Sequence, residues 1–397
     1  MVMMSGLAAA YSVTPTGTAP SSCWKTRAPQ PRVAFQRRRR TTSLTTATAT
    51  ATAMPREAMT APEKADVLRS LDGWAESNLL PLLKPVDRSW QPHDLLPDSA
   101  SPGFHEEVDE LRARAREIPD DYYVCLVGNM VTEEALPTYH AALNSFVGYD
   151  SPSSADAWSR WSRGWTAEEN RHGDLLNRYL YLSGRVDMRR VEQTIHHLIT
   201  AGMRLAVDKC PYRGFIYTSF QERATAISHG NTAARAKALG DASLARICGA
   251  IAGDEKRHEA AYTRVVDELF ARTPDAAVRA LEYMMRQRIL MPAYYMFDGK
   301  DTDLFHNYSA VAQRLGVYTT ADYADLVEFF VDRWGVAELG PGLTGEGRQA
   351  QDYLCRLPER VRKMAELDAR RRQQPLHLQP RQAPFSWVFD RQVELQA

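Results

Sequence analysis

Apolar positions along this chain recur every three or four residues, the period of a helix that buries one face. SLDGWAESNLLPLL (70–83) and HEEVDELRARAREI (105–118) show that spacing, and PDD at 119–121 breaks the second. Longer periodic segments run over 122–147, 156–182, 188–207, 214–239, 241–271, 275–290 and 321–334, with Gly, Pro, Asn or Asp at most of their junctions. Between the first two segments, SWQPHDLLPDSASPG, which contains Trp90, reads as an extended connection. Runs of alternating β-branched residues are missing. The pattern predicts an all-α fold whose helices are long enough for a bundle, with a Gly-rich loop at 335–347 and a strand or tail at 384–395. Apolar runs such as LARICGAIA fall far short of the roughly eighteen residues a membrane span needs, so no span is expected.

The zero formal net charge hides an asymmetry. Residues 1–56 hold eight basic residues, sixteen Ser or Thr and no acid, which is the composition of an organellar transit peptide. Composition alone fits plastid and mitochondrion equally. Removing that segment takes 49 basic residues to 41 against 49 acidic, so the remaining domain, 57–397, carries about −8 and offers nothing for nucleic acid. The five cysteines, at 23, 125, 210, 248 and 355, include no CxxC, which argues against a disulfide framework or a cysteine-held metal.

Two Glu-x-x-His pairs interrupt apolar faces. In DEKRHE, Glu255 and His258 sit on the stripe Leu244, Cys248, Ile251, Glu255, His258, Tyr262, Val265, Leu269. In AEENRHG, Glu169 and His172 sit on the stripe Trp158, Trp161, Trp165, Glu169, His172, Leu176, Leu180. Residues three apart on a helix reach one ion together, and a buried carboxylate needs a compensating partner. Two further inward carboxylates are Glu133, with Leu126, Met130 and His140, and Glu222, with Phe215, Thr218, Thr225 and His229. One Glu from each of two helices and a Glu-x-x-His from each of two others is the ligand set of a ferritin-like di-iron four-helix bundle, here elaborated with additional helices. On this reading Glu133, Glu169, His172, Glu222, Glu255 and His258 bind two ferrous ions per subunit. His140, His196, His197 and His229 are read as core or surface histidines, and Glu134 and Glu168 as flanking the ligands or exposed. Asp254, Lys256, Arg257 and Glu259 are placed on the outer sides of their helix.

GNMVTEEALPTYH, WTAEENRHGDLLNRYLYLSGRVDM, GFIYTSFQERATAISHGNTA, DEKRHEAAYT, SAVAQRLGVYTTADYADL and PFSWVFDRQVEL closely resemble the soluble plastid acyl-[acyl-carrier-protein] desaturases, from about Ala61 to the C-terminus. The resemblance implies the same six iron ligands, a homodimer in the plastid stroma, acyl carrier protein as substrate carrier (stearoyl to oleoyl) and ferredoxin as electron donor. It also implies a hydrogen-bonded chain of Trp90, Asp254 and His172 towards the iron, and places Thr225 beside the oxygen site. Three segments depart from the family pattern: Asn129, where an Asp is usual, AALNSFVG at 141–148 and MRLAVDKCPYRGF at 203–215. All three are expected to border the acyl pocket. The arginines at 112, 114 and 116 are candidates for docking an acidic carrier. Two alternatives bear on the same residues: an iron-oxidising or storage protein of the ferritin or rubrerythrin kind, and a carrier-binding protein whose inward carboxylates pair with arginine.

Overall fold

The computed structural model of the chain describes residues 58–145, 154–203, 205, 207–373 and 381–395; the expected transit peptide lies outside them. Four helices close a ring: α4 (Asp120–Glu133) packs on α6 (Ala157–Ser183), α6 on α9 (Ala242–Arg272), α9 on α8 (Pro211–Ala238), and α8 on α4. α8 and α9, of 28 and 31 residues, each run for about 40 Å or more at the helical rise and pack along one another as a hairpin. Their turn is built by Gly240 at φ +87 and by Asp241, whose Oδ1 accepts Leu244 N at 2.9 Å and so starts α9. α6 begins in the same way, with Asp156 Oδ1 accepting Ser159 N at 2.8 Å, and ends at Gly184 in the left-handed conformation. The expected stripes are the buried ones: all eight residues from Leu244 to Leu269 on α9, and all seven from Trp158 to Leu180 on α6, are buried.

The other helices wrap this ring. α1 (Ala61–Ser70) and α2 (Asp72–Asn78) lead in, α3 (Phe104–Glu117) lies on α6, and α10 (Pro274–Gln287) lies on α8 and α9. α11 (Leu304–Leu315) covers α4, α12 (Thr320–Arg333) covers α8, and α13 (Gly345–Cys355) and α14 (Leu357–Gln373) form an outer layer on α10 and α12. The chain closes with an antiparallel hairpin, β1 (Gln382–Phe385) and β2 (Arg391–Glu394). Its turn residue Trp387 is fully buried, and its indole donates to Thr194 Oγ1 at 2.9 Å on α7 (Met188–Ala201). No helix among the described residues is long and apolar enough to cross a membrane.

The structure departs from the sequence pattern in four places. The segment 122–147 is two helices, because Pro137 lacks an N–H and its ring would clash with the carbonyl of Glu133; α4 therefore stops at Glu133 and α5 spans Leu136–Leu143. The segment 188–207 stops at Ala201, where Gly202 takes φ +70. The loop expected at 335–347 ends three residues early, as Thr344 caps α13 by accepting Gly347 N at 3.1 Å. α11, α13 and α14 correspond to no expected segment. The approach of α11 to α4 depends on Gly128: a Cβ there would lie 2.0 Å from the Tyr308 ring.

Candidate metal centre

α4, α6, α8 and α9 aim six side chains at one another in the middle of the ring, each less than one-twentieth exposed. Two groups of four overlap. Glu133, Glu169, His172 and Glu255 can each offer a ligand atom within 4.8 Å of the others, and so can Glu169, Glu222, Glu255 and His258. Glu169 and Glu255 belong to both groups. His172 Nδ1 lies 3.2 Å from Glu255 Oε1, 3.5 Å from Glu169 Oε2 and 3.7 Å from Glu133 Oε2. His258 Nδ1 lies 2.6 Å from Glu169 Oε1 and 3.7 Å from Glu222 Oε2. Each imidazole thus turns the same nitrogen inward.

What lies behind each imidazole follows a crossed pattern. The α6 motif Glu168-Glu169-Asn170-Arg171-His172 and the α9 motif Asp254-Glu255-Lys256-Arg257-His258 match in type and position except at the third residue. The acid that opens one motif serves the histidine that closes the other. Glu168 Oε2 is 2.9 Å from His258 Nε2, while Asp254 Oδ2 faces His172 Nε2 at 3.6 Å, an ion-pair distance just beyond a hydrogen bond. The arginines next to the histidines hold those acids: Arg171 reaches Asp254 at 3.0 Å, while Arg257 reaches Asp254 at 2.8 Å and also Glu168. Lys84 adds its Nζ to Asp254 at 2.6 Å and its backbone N–H to Glu168 at 2.7 Å. A carboxylate behind a ligating imidazole fixes its tautomer and ring orientation.

The charges follow from this packing. Burial would raise Glu169, but the imidazoles of His172 and His258 outweigh it and draw the carboxyl down to about 2. Burial and the neighbouring charges of Glu169 and Glu255 push Glu222 well above the usual carboxylate range, and burial raises Glu255. Burial would lower both histidines; Glu169 overrides it and raises them. Metal-free, the cluster therefore keeps protons that a cation would replace. The donor set fits a metal ion. Glu169 Oε1, Glu255 Oε1 and the Nδ1 atoms of His172 and His258 are buried without a hydrogen-bond partner, and no Lys or Arg pairs with the four carboxylates among the described residues. That pattern disfavours the alternative in which arginines neutralise the inward carboxylates.

The remaining carboxylate oxygens are tethered. Thr225 Oγ1 lies 2.6 Å from Glu255 Oε2, Trp165 Nε1 donates to Glu222 Oε1 at 3.1 Å, and His229 Nε2 is 2.8 Å from Glu133 Oε1. Beside the cluster runs a narrow, largely apolar cavity walled by Tyr139, Leu143, Trp165, Tyr217 and Pro292, with Glu133, Glu169, Glu222, Glu255 and Thr225 at its side. Tyr217 also borders an open groove with Ala142, Met203, Leu205 and Leu290.

Several sequence expectations change here. Asp254 and Glu259 are not on the outside of α9: both are buried, Asp254 completely. Glu168 takes the first of its two expected settings, beside the ligands and behind His258, a position the repeated acid-Glu-x-Arg-His order also marks. His229 and Trp165, read as core, each hold a carboxylate of the cluster. The Trp90–Asp254–His172 hydrogen-bonded chain does not form directly, since Trp90 Nε1 is buried without a partner. Trp90 instead stacks on His172, ring centroids 6.0 Å apart, and Arg171 bonds both the Trp90 carbonyl and Asp254. The 141–148 and 203–215 segments do border the cavity and groove through Leu143, Ala142, Met203 and Leu205, with Phe146–Gly148, Arg204 and Ala206 outside the described residues. Asn129 borders neither; its amide bonds Thr232, Ser228 and Tyr308 behind Glu133. Of the candidate docking arginines, Arg114 turns inward to Asp241 at 3.7 Å and Arg112 donates to Leu182 O.

A sequence-family model described as fatty acid desaturase matches residues 63–389. Stearoyl-[acyl-carrier-protein] 9-desaturase 5, chloroplastic, of Oryza sativa subsp. japonica is 59% identical over 84% of this chain and 85% of its own length. Acyl-[acyl-carrier-protein] desaturase, chloroplastic, of Cucumis sativus and stearoyl-[acyl-carrier-protein] 9-desaturase, chloroplastic, of Ricinus communis are each 59% identical over 84% of this chain and 83% of their own. With the carboxylate–histidine cluster and its adjoining cavity in place, the chain belongs to the fatty acid desaturase family, among the acyl-[acyl-carrier-protein] desaturases.

Proposed function

We propose that the chain introduces a cis double bond into a saturated acyl chain carried on acyl carrier protein, stearoyl to oleoyl, using dioxygen and two electrons from ferredoxin in the plastid stroma. The observation that carries this reading is the narrow apolar cavity against two overlapping groups of metal-binding side chains. There Glu133, Glu169, His172 and Glu255, and the overlapping group Glu169, Glu222, Glu255 and His258, would hold the ferrous ions. Iron held by these residues would supply the activation of dioxygen. Two hydrogens leave neighbouring methylene carbons, and with two electrons and two protons from outside the dioxygen becomes two waters.

The chain's own residues set the geometry. Glu168 and Asp254 aim the imidazoles, Trp165 and His229 fix Glu222 and Glu133, and Thr225 places a hydroxyl on the cavity wall while holding Glu255. Tyr139, Leu143 and Pro292 keep water from the reacting carbons and hold the acyl chain in one register. Stacked on His172 and only partly buried, Trp90 offers electrons a path from the surface. A homodimer, the transit peptide at 1–56 and the mature domain at 57–397 belong to the same proposal, supported by the family resemblance and the composition of the first 56 residues. A storage protein on the same ligand set has no use for an apolar cavity beside its metal. The test is incubation of purified protein with stearoyl-acyl-carrier protein, ferredoxin and a reductant, followed by fatty-acid analysis and iron assay. Oleate and about two irons per chain are expected; an iron-loaded protein that leaves the acyl chain saturated overturns the reading.

A further inference from the structure

The described cysteines fall into two kinds. Cys125 and Cys248 are buried, and burial pushes the Cys125 thiol up and that of Cys248 to about 12, while Cys355 is exposed. Cys210 has a different setting. It stands at the N-terminus of the 28-residue helix α8, and Lys64 Nζ of α1 lies 3.1 Å from its Sγ. Both side chains are buried at 3% exposure, which is unusual for a lysine. The lysine head is fixed in place over the Tyr212 ring, 5.7 Å from its centre, and the Tyr212 hydroxyl is in turn 2.8 Å from Thr273 Oγ1. Amine nitrogen and sulphur are thus held in contact inside a site largely closed to solvent.

We propose that Lys64 and Cys210 form a reversible covalent bridge, Nζ–O–Sγ, when the protein meets dioxygen or hydrogen peroxide. With dioxygen the balance is one amine, one thiol and one O2 giving the bridge and one water. Nitrogen and sulphur each give up two electrons and dioxygen takes four. One oxygen atom becomes the bridge; the other leaves as water with the thiol hydrogen and one amine hydrogen. Two equivalents of a dithiol return the amine and thiol, the bridging oxygen leaving as a second water. A separation of 3.1 Å leaves a place for one bridging atom between sulphur and nitrogen, and the enclosed site shields sulphur from further oxidation. The bridge fastens α1 to the start of α8, the helix that carries Glu222 and Thr225, two residues after Asp208 at the rim of the open groove. Oxidant level is thereby written into the stiffness of the groove mouth.

The test needs no desaturase assay, so its outcome is separate from that of the proposed reaction. Iron-loaded full-length protein is treated with dilute hydrogen peroxide, and proteolytic peptides are read by mass spectrometry before and after dithiothreitol. The expected product joins the Lys64 peptide to the Cys210 peptide, with one oxygen gained and two hydrogens lost, and separates on reduction. The same treatment raises Tm in a dithiothreitol-sensitive way, and Lys64→Arg and Cys210→Ser each abolish both signals. A Cys210 peptide that stays free, carries two or three oxygens with Lys64 unmodified, or forms a disulfide overturns the proposal.

Discussion

The residues behind the ligands decide whether the ligands work. Glu168 touches His258 but has no place in the six-residue set, so Glu168→Gln keeps the fold while removing the anion that orients the ring. Affinity for ferrous ion is expected to fall about 10- to 100-fold, measured by metal titration against a competing chelator. Asp254→Asn should do the same through His172, and the two losses should not add, because Arg257 bonds both acids. At Gly128 the constraint is steric. Gly128→Ala places a methyl inside the Tyr308 ring, and only a shift of α11 relieves it, so Tm should fall by an amount equivalent to about 1–3 kcal/mol. A Gly128→Ala, Tyr308→Leu double variant should recover much of that loss.

At the scale of elements, stripes reveal what they bury but not what stands beside it. α6 and α9 were legible because their apolar faces run for several turns, and every residue of both stripes is buried. Glu133 and Glu222 were legible as inward carboxylates. Periodicity alone left Glu168 open and Asp254 on the outside, because each sits one residue, about 100°, round the helix from a ligand and faces a neighbouring helix rather than the bundle axis; the family resemblance is what put Asp254 beside His172. No single helix's period carries that information; alignment of the two five-residue motifs does. The helix ends before Pro137 and Gly202 were not legible in the period, which runs straight through both in 122–147 and 188–207. The closing hairpin depends on one side chain. Trp387→Ala removes a fully buried indole and its bond to Thr194, and should cost about 3–5 kcal/mol, read as a lowered urea midpoint with loss of protection first in α7.

Over the whole molecule, the bundle's interior has two ways of balancing its charge. Without metal it relies on protonated His172 and His258, whose raised affinity for protons stabilises the fold below about pH 6.5 and is lost as pH rises through their folded values. With metal the same nitrogens must be unprotonated. The Tm difference between loaded and metal-free protein is therefore expected to widen from about pH 6 to pH 8, with protons released on loading; a difference that narrows across that range would contradict the assignment. The crossed pairing of the two five-residue motifs also has a bearing on the order of events in a cell. A chain emerging from a ribosome, or threading through an organelle envelope, presents α6 long before α9. Until α9 follows, His172 lacks Asp254, Glu168 has no imidazole to serve, and each of the two four-residue groups is short of Glu255. A metal site of this composition is thereby incomplete until α9 is delivered, about two-thirds of the way along the chain.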